Sequence, residues 1–151
     1  MLWLLIPCLS ALALLIAHGA ETNPASAATA LEAVEWTLTE INGKPVSVAE
    51  DHPKPPTLRF NSEKKQASGF SGVNRFFGSY QLDGETLKFG PLAGTRMAGP
   101  PEAMAAEAAF LTMLGSVTGY RISGGGTLEL LHDGAVTARF EAAKSAESLN
   151  H

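Results

Sequence analysis

Cysteine is nearly missing from this chain: there is one in 151 residues. That residue, Cys8, stands inside an apolar leader, so the folded portion carries no thiol. A disulfide framework, a thiolate nucleophile and a cysteine-built metal site are excluded together. Positive charge is also scarce, with 11 Lys and Arg against 15 Asp and Glu and a formal charge of −4. Apart from Lys64-Lys65 the basic residues occur singly, so the clustered footprint of a nucleic-acid or anionic-membrane binder is lacking. Catalytic spacings are missing as well. Ser71 in "GFSG" lacks the second glycine of a G-x-S-x-G elbow. His52, His132 and His151 fall in a loop, a hairpin turn and the tail, without the spacing that holds zinc. The glycines Gly124 to Gly126 form a turn, because no G-x-G-x-x-G with a following helix accompanies them. The expectation is a protein that is not an enzyme, with no catalytic residues, no metal and no cofactor.

What is present begins with the leader. Leu2 to Ala17 is almost wholly apolar, and Ala25-Ser26-Ala27 follows as an A-x-A-like cleavage pattern. Residues 1–28 therefore read as a secretory signal peptide, cut near Ala27 or Ala28, with cleavage after Ala20 as the alternative. The apolar run is shorter than the roughly 20 residues that span a bilayer, and Pro7 interrupts it. "LIPC" at residues 5–8 has no small residues before its cysteine, so a lipoprotein is not expected. An uncleaved N-terminal segment is the one route left to membrane association. The expected location is the periplasm or envelope, and the expected state is a monomer.

About 120 residues remain, enough for one domain that buries roughly two thirds of its unfolded surface. Residues 29–33 read as a small-residue lead-in. In "VEWTLTEI" the residues Val34, Trp36 and Leu38 share one face, which is the period of a half-buried strand. Asn42-Gly43 supplies turn chemistry, and Pro55-Pro56 suits a strand entrance because proline cannot donate to a ladder. "TLRF" places Leu58 and Phe60 inward, and "NSEKKQASGF" adds a charged turn and a short strand. "SYQLDGETLKF" is a hairpin about Asp83-Gly84, and "TLELLHDGAVTARFE" a second about Asp133-Gly134. Between them Pro101 to Gly115 reads as the one helix, alanine-rich, with Glu102 in its first turn. Its expected core stripe is Met104, Ala108 and Leu111, broadened by Phe110 and Leu114, with Gly115 closing it. The fold class is α+β, mainly β: an antiparallel sheet or partly closed barrel of about 7–8 short strands under one covering helix. Residues 142–151 read as a flexible tail.

"INGKPV" (41–46), "PPTLRF" (55–60), "GVNRFFGSY" (72–80) and "LAGTRMAG" (92–99) stand in the order and spacing of the META domain. Over residues 34–141 the chain resembles that family, in its heat-shock, HslJ-like form. The family carries cysteine where this chain has Val73, and again where it has Gly99. The joint loss is what would be expected if the two family cysteines lie near each other, and if they form a disulfide in relatives this chain forgoes it, with Val73 packing in its place. Gly72, Val73, Phe76, Gly78, Met97 and Gly99 are then structural motif residues. No catalytic residue carries over. The resemblance implies a non-enzymatic exported protein that supports envelope or heat-stress tolerance through protein or envelope contacts.

The remaining candidates are polar. Asn74 can take left-handed backbone or bond its own turn, and Arg75 can pair with a carboxylate or cover apolar surface. Thr95 and Arg96 can do the same from the second motif. Alternatively Arg75 and Arg96 form a fork for an anionic group, with Asn74 and Thr95 beside them. That reading makes the protein a periplasmic binding module for a small apolar or anionic ligand; a hydrolase is the remote third. Phe76 and Phe77, adjacent on a strand, must point to opposite faces.

Overall fold

Two hairpins close on residue pairs that both adopt positive φ, Asn42-Gly43 (50° and 75°) and Asp133-Gly134 (48° and 84°). This is the mirror-image turn geometry whose twist matches that of the flanking strands. A third, around Gly84 (φ 56°), joins Asp83 to its partner Thr86. In a computed structural model describing residues 23–47 and 54–143, these turns order a helix α1 (Pro24–Ala33), the strands β1 (Glu35–Ile41), β2 (Lys44–Pro45), β3 (Thr57–Asn61), β4 (Gln66–Phe70), β5 (Arg75–Asp83) and β6 (Thr86–Gly94), a helix α2 (Pro101–Ser116), and the strands β7 (Gly119–Ile122), β8 (Thr127–His132) and β9 (Ala135–Ala142).

The nine strands form one antiparallel sheet in the order β2-β1-β3-β4-β5-β6-β7-β8-β9. β1 also pairs with β9, from Trp36 opposite Ala142 to Ile41 opposite Ala138, so the sheet curls back on itself. The ring is thinnest between β6 and β7, where Thr86 opposite Gly119 is the single paired position. There the bonds from Leu87 N to Thr118 O (3.3 Å) and from Tyr120 N to Glu85 O (3.0 Å) hold the seam. The helix α2 packs beside it, against β6. A partly closed, mainly β architecture is what the strand periodicities predict.

Alternation decides what enters the core. Trp36, Leu38, Leu58, Phe60, Phe76 and Tyr80 point inward from β1, β3 and β5, each 3 % exposed or less. From α2, Phe110 meets Phe76 edge-on at 5.8 Å and Phe140 at 6.4 Å. Burial of a ring such as Phe110, 1 % exposed, contributes about 1.5–3 kcal/mol. Phe77 is 51 % exposed where Phe76 is 2 %, the split that their adjacency requires.

Three expectations are corrected. Residues 29–33 are not a lead-in but the second half of α1, so the described residues form two helices and nine strands. "PASAATALEA" has proline in its first turn and Asn23 as a cap, whose side chain accepts from Ala25 N at 3.1 Å. Its apolar stripe is too thin to announce a helix, since Leu31 is its one fully buried side chain among the described residues. The buried face of α2 is also rotated: Glu107, Phe110, Met113 and Leu114 are inside, while Ala108 is exposed and Met104 and Leu111 are half-buried. Alanine fits either face of a helix, so it could not fix the phase. Finally, Gly115 lies within α2, which runs on to Ser116 and ends as Val117 turns extended and its N–H reaches Leu114 O. Residues 1–22 of the expected signal segment, His52, His151 and the tail beyond residue 143 lie outside the described residues, while residues 24–28 of that segment form the first half of α1.

Candidate functional site

The first motif forms the turn between β4 and β5, and its donors converge on one buried carboxylate. Ser71 Oγ donates to Glu107 Oε2 at 2.7 Å, as do the backbone N–H groups of Val73 (3.2 Å) and Asn74 (2.7 Å). Asn74 Nδ2 donates to Glu107 Oε1 at 2.9 Å and to Met97 O at 3.1 Å. Its Oδ1 accepts from Thr95 Oγ1 at 2.9 Å and from Met97 N at 2.7 Å. Every hydrogen-bonding position of the Asn74 amide is thereby filled. Burial pushes the Glu107 carboxyl upward, but the bonds from Asn74, Ser71 and the two backbone N–H groups outweigh it. They hold the group below the usual carboxylate range. The left-handed residue of this turn is Gly72, with φ 115°, and not Asn74.

The cluster is a latch joining the β4–β5 turn, the segment after β6 and α2. Arg75 N donates to Thr95 Oγ1 at 3.1 Å, and Thr95 N returns a bond to Arg75 O at 3.0 Å. Asn74 and Thr95 are therefore brought together as fold residues, and the Ser71 hydroxyl is 1 % exposed and committed to Glu107. Sequence reasoning missed Glu107. The available signal was its place in "EAMAAEAAF", three residues before Phe110 and seven before Leu114, on a face where a charge must find donors.

Val73 and Gly99 are neighbours. A Cβ placed on Gly99 would lie 3.6 Å from Val73 Cβ and 3.0 Å from each of its γ carbons. Disulfides join Cβ atoms about 3.5–4.5 Å apart, so the two positions stand where a bridge would fit. Gly78 is fixed by crowding, since a Cβ there would come within 2.6 Å of Pro91 O.

On the outer face of β1, β3, β4 and β5 lies a groove of about 1000 Å³. Register sets two rows across it, Glu35, Arg59, Ser68 and Phe77 in one and Thr37, Thr57, Phe70 and Arg75 in the next. Lys54, Thr95 and Met97 complete its rim. Phe77 and Met97, at 51 % and 60 % exposure, are the large apolar side chains left in solvent among the described residues. Arg96 does not line the groove although its neighbours Thr95 and Met97 do, so it forms no fork with Arg75 there. Arg121 and Arg139, by contrast, are consumed in an ion-pair ladder with Glu129 and Glu40 across β7, β8, β9 and β1. Lys54, Arg59 and Arg75 have no such partner among the described residues. His132 is not in the turn where it was expected but ends β8 opposite Ala135, its Nδ1 2.6 Å from Ser116 O. No cluster of three or more metal-ligating side chains occurs among the described residues.

A sheet curled into a partial ring and latched to a helix by the asparagine of "GVNRF" defines the class of domain. The family model for the META domain matches residues 29–144, and the chain belongs to that family. Among solved structures it is similar to a protein from Burkholderia xenovorans determined by NMR, at 33 % identity and a TM-score of 0.61, covering 82 % of this chain and 90 % of that one. A second NMR structure matches at 26 % identity and a TM-score of 0.59, over 85 % of this chain and 99 % of the other. A crystal structure of a DUF4847 family protein from Bacteroides vulgatus shares the fold at 15 % identity and a TM-score of 0.56, over 76 % and 96 % of the two chains. No curated protein matches.

Proposed function

We propose that this META-domain protein is an exported, non-enzymatic contact protein that supports envelope tolerance of heat or related stress, and that it meets its partner through the groove on β1, β3, β4 and β5. One observation carries this reading. The polar motif residues Ser71, Asn74 and Thr95 are spent on the Glu107 latch, whereas Arg59, Arg75, Phe77 and Met97 gather on one outer face, the two arginines without an ion-pair partner among the described residues. Exposed Arg, Met and aromatic side chains grouped together are the composition of an interaction surface. The apolar leader of residues 2–17 supports export, and the HslJ-like resemblance supports the stress role.

Complementation tests the reading. A deletion strain carrying Arg75→Gln with Phe77→Ser should lose tolerance while the purified variant keeps its melting temperature. Full tolerance in that strain would remove the groove from the function. Mass determination of the protein from envelope fractions tests export, which an intact Met1 would contradict.

The alternative of a small ligand enclosed between sheet and helix has less support. Phe76, Phe110 and Phe140 fill that interface, so a ligand would have to lie on the outer face.

A further inference from the structure

We infer that the groove is a docking surface for an acidic segment of a partner protein, one that carries an apolar side chain flanked by carboxylates. The inference rests on the contact reading above and names the chemistry of the partner. Charge is its first support. The chain as a whole carries −4, yet among the described residues the groove brings together Lys54, Arg59 and Arg75 against the single carboxylate of Glu35. This local reversal of sign steers an acidic partner to one face and repels a basic one.

Shape is the second support. Phe77 and Met97 stand more than half in solvent, as projecting anchors. A small ligand gains affinity by having most of its surface enclosed, which side chains standing this far out do not provide. Projecting aromatic and Met side chains instead enter depressions between a partner's residues, where buried anchors dominate binding. Register places Arg59 and Arg75 at opposite corners of the floor and Phe77 and Thr57 at the other two, with Ser68 and Phe70 between them on β4. An acidic residue on either side of an apolar one matches that pattern.

The geometry also argues against other occupants. The backbone of β3, β4 and β5 is paired on both sides through the floor of the groove, so an added strand finds no free ladder there. A second copy meeting this face by a two-fold axis would set one cationic patch against another, since such an interface apposes a patch to itself. Three cations beside Glu35 are also few for a polyanionic surface.

Isotope-labelled protein titrated with a synthetic peptide, Glu-Asp-Phe-Leu-Glu-Asp with blocked ends, tests the inference by amide chemical shifts. The expected result is movement confined to Ser68, Phe70, Arg75, Phe77 and Met97. Affinity should fall about tenfold or more in the Arg59→Gln, Arg75→Gln double variant, and again when salt is raised. The Lys-for-acid peptide and the peptide with Ser for Phe and Leu should both fail to shift these amides. Both arginines are exposed, so the variants should fold, and unchanged spectra away from the groove verify this. Shifts elsewhere, no shifts, or equal binding of either control peptide overturn the inference. So do arginine-dependent sedimentation with phosphatidylglycerol vesicles or concentration-dependent self-association through these amides, if the acidic peptide leaves them unmoved. A groove variant that loses stress tolerance while the peptide fails would leave the contact reading standing and remove only the acidic partner.

Discussion

Asn74 grips the Glu107 carboxylate with both its backbone and its side chain, at 2.7 Å to Oε2 and 2.9 Å to Oε1. The pair ties a tight turn to a helix more than thirty positions later in the chain, and Glu107 is 7 % exposed. Replacing Asn74 by Ala strands Met97 N and removes a donor from a buried carboxylate, which should cost about 3 kcal/mol. Asn74→Asp should cost more than Asn74→Ala, because it sets a second carboxylate against the first. Urea denaturation of both variants checks the order.

The same carboxylate sets an acid limit. Glu107 is held below the ordinary range in the fold, so the unfolded chain takes up this proton first as pH falls. Its stabilisation is complete above the unfolded value of about 4.3 and is lost as pH drops through the lower folded value. Glu129, held down by Arg121 and Arg139 against the upward push of burial, adds to the trend. The urea midpoint of the wild type should therefore fall from pH 5 to pH 3. Glu107→Gln should be less stable at pH 7 by about 2 kcal/mol, and its deficit should shrink at pH 3. A constant deficit would assign the latch no charge.

What could be read in the sequence followed from period and turn chemistry. The strands around Trp36, Leu58 and Phe140 alternate cleanly, and Asn42-Gly43 and Asp133-Gly134 each demand a tight turn, so the sheet was legible. The alanine-rich segments were not. Alanine at 105, 106, 108 and 109 leaves the phase of α2 to be set by tertiary contact, and α1 has little beyond Leu31 to mark a face. The latch was half legible: Asn74 and Thr95 stood out, but Glu107 reads as one more solvated helix acid until the turn is folded over it. The groove was invisible, because Arg59 and Phe77 meet only through the register of three strands.

Val73 and Gly99 offer a direct test of the bridge geometry. Gly99→Cys alone should be destabilising, since its Cβ meets both Val73 γ carbons at 3.0 Å. Adding Val73→Cys removes one of those carbons and supplies the second sulfur. In a Cys8→Ser background the oxidised double variant should carry no free thiol and should exceed its own reduced form by about 3 kcal/mol. Two titratable thiols under oxidising conditions would show that the Cβ vectors do not meet.

The position of α1 bears on where an exported chain is cut. Leu31 is fully buried, and its carbonyl accepts from Trp36 Nε1 at 2.9 Å. The next residue, Glu32, accepts from the buried Tyr80 hydroxyl and pairs with Lys65 at 3.2 Å. Cleavage after Ala27 or Ala28 would remove Asn23 and the first turn of the helix that presents these groups, whereas cleavage after Ala20 leaves the cap in place. A cap is worth about 1 kcal/mol, and Leu31→Ala should cost about 3 kcal/mol. We therefore expect Glu21 as the mature N-terminus. A chain started at residue 29 should melt lower than one started at residue 21, with the emission of Trp36 shifting to longer wavelength as its indole loses the Leu31 carbonyl. Equal melting temperatures would mean that α1 contributes nothing to the fold beyond Leu31, and the earlier cut would lose its physical advantage.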